Sequence, residues 1–438
     1  MSSAASASSA SASVSTPLPA AAVAASSESS APAPASAAAT ASATAAASVP
    51  FDIDYHSDTP RFSAHDSSAM DAAMSFLSEH GYAVISDVGS AEEVERAHDL
   101  FWEFMSKTFP GKMLSRHNIR SWADLPIMQT GVCWAGGVGT SAFQWHIRSL
   151  PTVKAVFERV WEGEKNLVAS FDGCGVFRPT LTGAAGGGKP VRHEEWVTKS
   201  AWFHVDQNPV SKPGRECVQG LFSVFDQDET TGGLVVIPGS HHAFNSLASL
   251  VKTKSTHDFV TIPNGHFMLD RAVGATRPKL VKCRAGDFVL WDSRTVHCNS
   301  PALRDQLWLA EQEKAAIGSR ASVTSSSNSR TQAFFDFIAD LREMLPSLPA
   351  AVSSSSSKAP PPRLQRLVSY QCMTPLSKVN PRSLAQYREA RLEAVEVGMT
   401  TNHWAHEFHG GSVAGRDCVH AKVHLTEYQR ELVVGKEE

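Results

Sequence analysis

Apolar positions recur every three to four residues over 67–81, where Met70, Ala73, Met74, Phe76 and Leu77 share one helical face. Gly81 supplies the stop, because glycine enters the left-handed conformation that ends helices at little cost. Tyr82-Ala83-Val84-Ile85 follows as a short strand. Ser90 is a good N-cap for a second amphipathic helix over 91–109, with Val94, Ala97, Leu100, Phe101 and Phe104 on its apolar side. A third helix is predicted around 153–161. From about Leu167 the period changes. Short apolar runs at 167–171, 217–225, 233–237, 288–291 and 367–372 alternate with Gly, Pro and Asp turns, a pattern of sandwiches and barrels. A last helix is expected at 383–397. Helices first and strands second predict an α+β fold, with helices packed on one side of a β core.

Three stretches break this pattern. Residues 1–50 are almost entirely Ala, Ser, Thr, Pro and Val, and no Lys or Arg precedes Arg61. Side chains this small do not offset the ~1–2 kcal/mol per residue needed to order backbone. Residues 1–61 are therefore expected to be a disordered Ala/Ser-rich tail ahead of one folded region, 62–438. The lack of basic residues argues against a secretory or mitochondrial leader, and a Ser-rich plastid transit peptide is the alternative. The Gly-rich run at 183–189 lacks the strand–helix context of a phosphate loop. The stretch at about 302–362 holds two low-complexity runs, 322–329 and 353–362, around an amphipathic 331–345. It is expected to be a surface insertion, since structureless connections beyond ~15 residues are uncommon inside compact domains.

The chain has 438 residues, 42% hydrophobic and 19% charged, enough for a sizeable core. A net charge of -4 gives no electrostatic reason to expect nucleic acid or an anionic membrane as partner. No apolar stretch approaches the ~20 residues of a membrane span. The seven cysteines are scattered and form no CxxC pair, which predicts no disulfide framework and an intracellular, cytoplasmic setting. The expected partner is a small-molecule substrate.

Candidate chemistry lies in Trp202-Phe203-His204-Val205-Asp206 and in 286–297, an apolar strand that ends on His297. Residues two apart on a strand point to one face, so His204 and Asp206 can converge on one ion, with His297 delivered from the second strand. Two imidazoles and one carboxylate leave three positions of an ion open, the pattern of non-haem Fe(II) oxygenases. The vacancies suit the 2-oxo and C1 carboxylate groups of 2-oxoglutarate, and O2. An HxD pair alone is a weak signal, and its surroundings strengthen it.

Trp202 to Gln207, then Gly232-Gly233-Leu234-Val235-Val236-Ile237-Pro238-Gly239-Ser240-His241, then Gly286-Asp287 through His297, resemble the phytanoyl-CoA dioxygenase family. The helix-then-strand opening at 76–85 also resembles it. The resemblance covers roughly 65–300 and 363–405. It implies a double-stranded β-helix (a jelly-roll, cupin-like core), Fe(II), 2-oxoglutarate and O2, and it carries over His204, Asp206 and His297 as ligands. Substrates in this family are diverse, so none is implied.

The distal carboxylate of 2-oxoglutarate needs a fixed cation, and the planar fork of Arg suits it. The resemblance puts that Arg on the strand after the distal His. Arg366 opens the strand 366–372; Arg363 and Arg304 are the alternatives. Trp202 shares the metal-facing side of its strand and is a candidate pocket wall. Asp172 is a candidate substrate contact, Asp292 and Arg294 a local pair, and His241-His242 a turn cap. His403, His406 and His409 form an HxxHxxH pattern without a completing ligand set. The expected activity is hydroxylation, because Asp206 fills the position that a halide would need. A cupin-type metalloenzyme without keto acid and a non-catalytic jelly-roll scaffold are the rival readings.

Overall fold

The computed structural model describes residues 52–183, 191–252, 255–270, 274–321, 339, 362–408, 411–413, 415, 418–420 and 422–436, with only the backbone described over 313–321. Residues 1–51 of the tail expected over 1–61, nearly all of the Gly-rich run, of the helix expected at 331–345 and of the low-complexity runs, and His409 lie outside the described residues; residues 52–61 instead join the body, where Ile53 and Tyr55 are buried.

The opening helices form where the pattern puts them. Helix α1 (Ser67–His80) starts at an Asp66 cap and ends where Gly81 turns left-handed, φ 79°. Strand β2 (Tyr82–Ser86) follows and pairs in parallel with β1 (Arg61–Ser63). Helix α2 (Ala91–Thr108) opens with a capping box between Ser90 and Glu93, which satisfies two otherwise orphaned N–H groups. The expected third helix is α4 (Pro151–Val160), preceded by a further short helix, α3 (Ala142–Arg148); the two are separate because Pro151 cannot continue a helix and starts a new one instead.

The β core has two sheets. Its remaining strands are β3 (Val132–Cys133), β4 (Cys174–Phe177), β5 (His204–Val205), β6 (Val218–Ser223), β7 (Gly232–Val236), β8 (Val260–Thr261), β9 (Lys279–Leu280), β10 (Phe288–Asp292), β11 (His297–Pro301) and β12 (Arg366–Gln371). One sheet has the order β1-β2-β10-β6-β12-β4-β3 and the other β8-β5-β11-β7-β9. From β4 onward the chain passes back and forth between the sheets: β4, β6, β10 and β12 in the larger, β5, β7, β9 and β11 in the smaller. Their pairings are all antiparallel. This alternation is the double-stranded β-helix, so the expected α+β class and jelly-roll core are both present.

Strand alternation decides which side chains see the inside. Tyr82, Val84, Leu221, Val289, Trp291 and Val368 pack with Leu234 and Val236 between the sheets. Ala83, Ile85, Val218, Phe222, Phe288, Leu290 and Leu367 face outward, against α1 to α4. Each such buried Val, Leu or Phe contributes ~1.5–3 kcal/mol. By the same alternation Gln219, Arg366, His297 and Asn299 point inward.

The segment after Pro301 does not leave the body at once. Helix α5 (Leu303–Ala321) starts there, and Leu303, Leu307 and Ala310 are buried with the outer face of the smaller sheet. Their i, i+4, i+7 spacing made this face readable, and the low-complexity runs further on masked it. Helices α6 (Leu384–Glu396) and α7 (Glu427–Val434) close the described chain. Among the described residues no helix is long and apolar enough to cross a membrane.

Candidate metal centre

β5 meets β11 through the register pair His204↔His297. Directly paired residues of antiparallel strands project to the same side, so the two imidazoles meet, with centroids 4.2 Å apart. Just beyond β5, the Asp206 N–H donates to the Ser293 carbonyl at 3.1 Å. The Asp206 carboxylate then sits with Oδ1 3.5 Å from His204 Nε2 and Oδ2 3.3 Å from His297 Nε2. One potential ligand atom from each of the three residues lies within 4.8 Å of the others.

The tautomers follow from the backbone. His204 Nδ1 lies 3.2 Å from the Trp202 carbonyl, and His297 Nδ1 lies 2.9 Å from the Thr295 carbonyl. A carbonyl only accepts, so each Nδ1 carries the proton and each Nε2 turns a lone pair toward Asp206. Burial, and then the neighbouring His297, push His204 toward its neutral form. Two Nε2 atoms and one carboxylate oxygen therefore converge on one buried point. Such a set is balanced by a cation, and two imidazoles with one carboxylate suit a first-row divalent ion with three positions left open.

The surroundings hold this arrangement still. His204 is sandwiched between Trp202 (4.7 Å, 9°) and Phe259 (4.5 Å, 28°). Trp291 lies 5.7 Å from the His297 ring. Gln219 Nε2 donates to Asp206 Oδ2 at 3.0 Å and to Ser293 Oγ at 3.3 Å. His403 Nε2 donates to the Asp206 carbonyl at 3.1 Å.

Two residues along β11 from His297 the polar balance reverses. Arg366 is fully buried. Its Nε donates to Gln227 Oε1 at 2.6 Å and its Nη1 to Asn299 Oδ1 at 3.3 Å, while Nη2 has no partner among the described residues. The guanidinium lies 4.9 Å over the Phe177 ring, and no carboxylate among the described residues forms an ion pair with it. Space for it exists because residue 175 is glycine: a Cβ there would come within 2.8 Å of Arg366 Nη1 and 2.7 Å of the Tyr370 hydroxyl. A buried cation with an orphaned donor fits an incoming carboxylate.

The two alternatives to Arg366 lie elsewhere. Arg363 is exposed and stacks 3.8 Å over Phe225, whose ring belongs to the helix-facing core. Arg304 sits on the first turn of α5 beside Asp305, with Nε unpartnered. Position 363 precedes the strand and so escapes the inward register that 366 inherits. Asp172 is buried, and burial raises its pKa; His403 is the largest influence that lowers it. Asp292 and Arg294 form a two-toothed ion pair (2.9 and 2.7 Å). His241 and His242 donate to the carbonyls of Ser78 and Glu79, so they cap the C-terminus of α1. Gln219, Gln227, Asn299 and Phe259 carried no signal of their own in the sequence.

Residues 176–302 match phytanoyl-CoA dioxygenase (PhyH). They span β5 to β11 and contain all three converging acceptors. This segment belongs to the phytanoyl-CoA dioxygenase family. Arg366 and His403 lie beyond the segment that shows the family. A 193-residue stretch is 32% identical to "Ava biosynthesis cluster protein O" of Aspergillus versicolor, covering 42% of this chain and 57% of that protein. Two solved structures are similar at 13% identity. One is the non-heme alpha ketoglutarate dependent epimerase SnoN from nogalamycin biosynthesis, with a TM-score of 0.35 over 71% of this chain and 84% of that one. The other is GlcNAc Inducible Gene 2 from Candida albicans, with a TM-score of 0.40 over 76% and 70%. The fold assignment rests on the strand order given above.

Proposed function

We propose that the chain is an Fe(II)- and 2-oxoglutarate-dependent dioxygenase that hydroxylates a small-molecule or lipid-like substrate. One observation carries this: opposite polar imbalances sit two residues apart on β11. At His297 three acceptors converge; at Asn299 a buried guanidinium has a donor to spare. Two strand positions span about 6.6 Å, a distance that a five-carbon keto diacid bridges. His204, Asp206 and His297 would hold the ion, and Arg366 would take the far carboxylate. The family segment supports the same cofactors. The relative's name, which refers to a biosynthesis cluster, supports a small-molecule substrate.

When bound, iron and keto acid supply the oxidation of a C–H bond by O2, coupled to decarboxylation of the keto acid to succinate. The chain does the rest. Arg366, set by Gln227 and Asn299, orients the co-substrate. Trp202 and Phe259 clamp the His204 ring and keep water from its faces. The Nδ1–H bonds to Trp202 and Thr295 fix which nitrogen each imidazole presents. Asp206 occupies the position that halogenation would leave for a halide, which favours hydroxylation.

The test is succinate release from 2-oxoglutarate by the purified full chain without added substrate. Release should require Fe(II) and fall at least 100-fold in Asp206→Ala. A cupin-type enzyme without keto acid and a scaffold both give no Fe(II)-dependent succinate, and that result would sink the proposal.

A further inference from the structure

Asp206 is gripped at more points than a ligand needs for its fold alone. Its N–H goes to Ser293. Its carbonyl accepts from His403, which arrives from the C-terminal segment 197 positions away. Its Oδ2 accepts from Gln219, on β6 of the other sheet. Gln219 is itself buried, and its amide is shared with Ser293 Oγ, so it has little freedom to turn. A carboxylate left to itself binds a divalent ion through one oxygen or through both. With one oxygen engaged by an amide N–H, the two oxygens stop being equivalent, and chelation through both would cost that hydrogen bond.

We propose that Gln219 and His403 are positioning residues that would make Asp206 a one-oxygen ligand: the Gln219 amide engages Oδ2, which also lies 3.3 Å from His297 Nε2, so Oδ1 would be the oxygen left for the ion. This rests on the metal-binding reading above and adds what that reading leaves open, namely how three coordination positions stay free. Without the Gln219 amide both carboxylate oxygens would be available to an ion, which would keep the ion and take up a position that the keto acid would need. The His403 bond acts on the backbone behind the carboxylate, so its loss should loosen the same orientation more weakly.

The experiment uses the full chain and three measurements: Co(II) affinity by calorimetry, 2-oxoglutarate affinity of the Co(II)-loaded protein, and the melting temperature of the metal-free protein. Gln219→Leu removes the donor at similar volume. It should leave Co(II) affinity within about 3-fold and the melting temperature unchanged, while 2-oxoglutarate binding weakens at least 10-fold. His403→Leu should show the same split at a smaller size, and His403→Gln, which keeps an N–H donor, should restore it. A merely structural role would lower all three quantities together, and that result overturns the proposal. So does a Gln219→Leu protein that binds 2-oxoglutarate like the parent. If the parent binds no Co(II), the metal reading itself falls; if it binds Co(II) but the variant shows no split, only the positioning role falls.

Discussion

Two buried arginines, one inside the barrel and one outside, differ in a way that burial does not reveal. Arg391, on α6, has all its reach used: Nε donates to the Val433 carbonyl at 2.7 Å, Nη1 to Ala405 at 3.1 Å, and Nη2 to Ala169. Arg366 is as deeply buried but ends with Nη2 unpartnered. The histidines divide the same way. His98, against the helix layer, accepts the Trp102 indole N–H at 3.1 Å. His204 and His297 turn lone pairs toward a carboxylate. Arg391 and His98 have their polar groups met by the protein, whereas the barrel interior keeps an excess of acceptors at one point and a spare donor at the next. An orphaned donor also occurs at Arg148 Nη1 on α3, so it is the pairing of a spare donor with converging acceptors, not burial, that marks the candidate site.

The sharpest way to break this contrast is to replace each arginine with methionine. Arg366→Met should weaken 2-oxoglutarate binding by about 100-fold, the ~3 kcal/mol scale of a charge-assisted two-toothed pair, and leave the melting temperature near that of the parent. Arg391→Met should do the reverse, leaving three carbonyls short of a donor and lowering stability by ~3 kcal/mol in denaturant titration. Equal destabilisation by both would erase the distinction. A smaller effect comes from His98, whose pKa burial pushes down to about 4. Its folded value lies below the unfolded ~6.5. Its contribution is therefore complete above pH 6.5 and is lost as pH falls through 4, up to ~3 kcal/mol in all. His98→Gln, which keeps an acceptor for Trp102, should flatten the pH dependence of denaturant stability across that window. An unchanged slope would show that His98 titrates freely.

How much of this was legible beforehand depends on whether a feature is local. Ser90 with Glu93, and Gly81 after Leu77, set helix ends within a few residues, and α1 and α2 start and stop there. The HxD spacing and the terminal position of His297 depend only on strand period, so the three acceptors could be named from the chain alone. Arg366 was favoured for the same reason, since inward register with Val368 and Tyr370 needs only alternation. Gln219, Asn299 and His403 could not be found this way. Gln219 reaches Asp206 across sheets, Asn299 reaches Arg366 across the barrel, and His403 arrives through a loop. No periodicity in one sequence encodes such cross-chain register. The start of α5 was missed because low-complexity sequence downstream hid an ordinary apolar face at Leu303, Leu307 and Ala310.

Metal stoichiometry bears most directly on the converging acceptors. Titrated with Co(II) in calorimetry, the full chain should take up one ion, and His297→Ala, with an unchanged melting temperature in the metal-free state, should take up none at the same concentrations. A His297→Ala protein that binds the ion as tightly as the parent would contradict the assignment of His204, Asp206 and His297 as a single cation site.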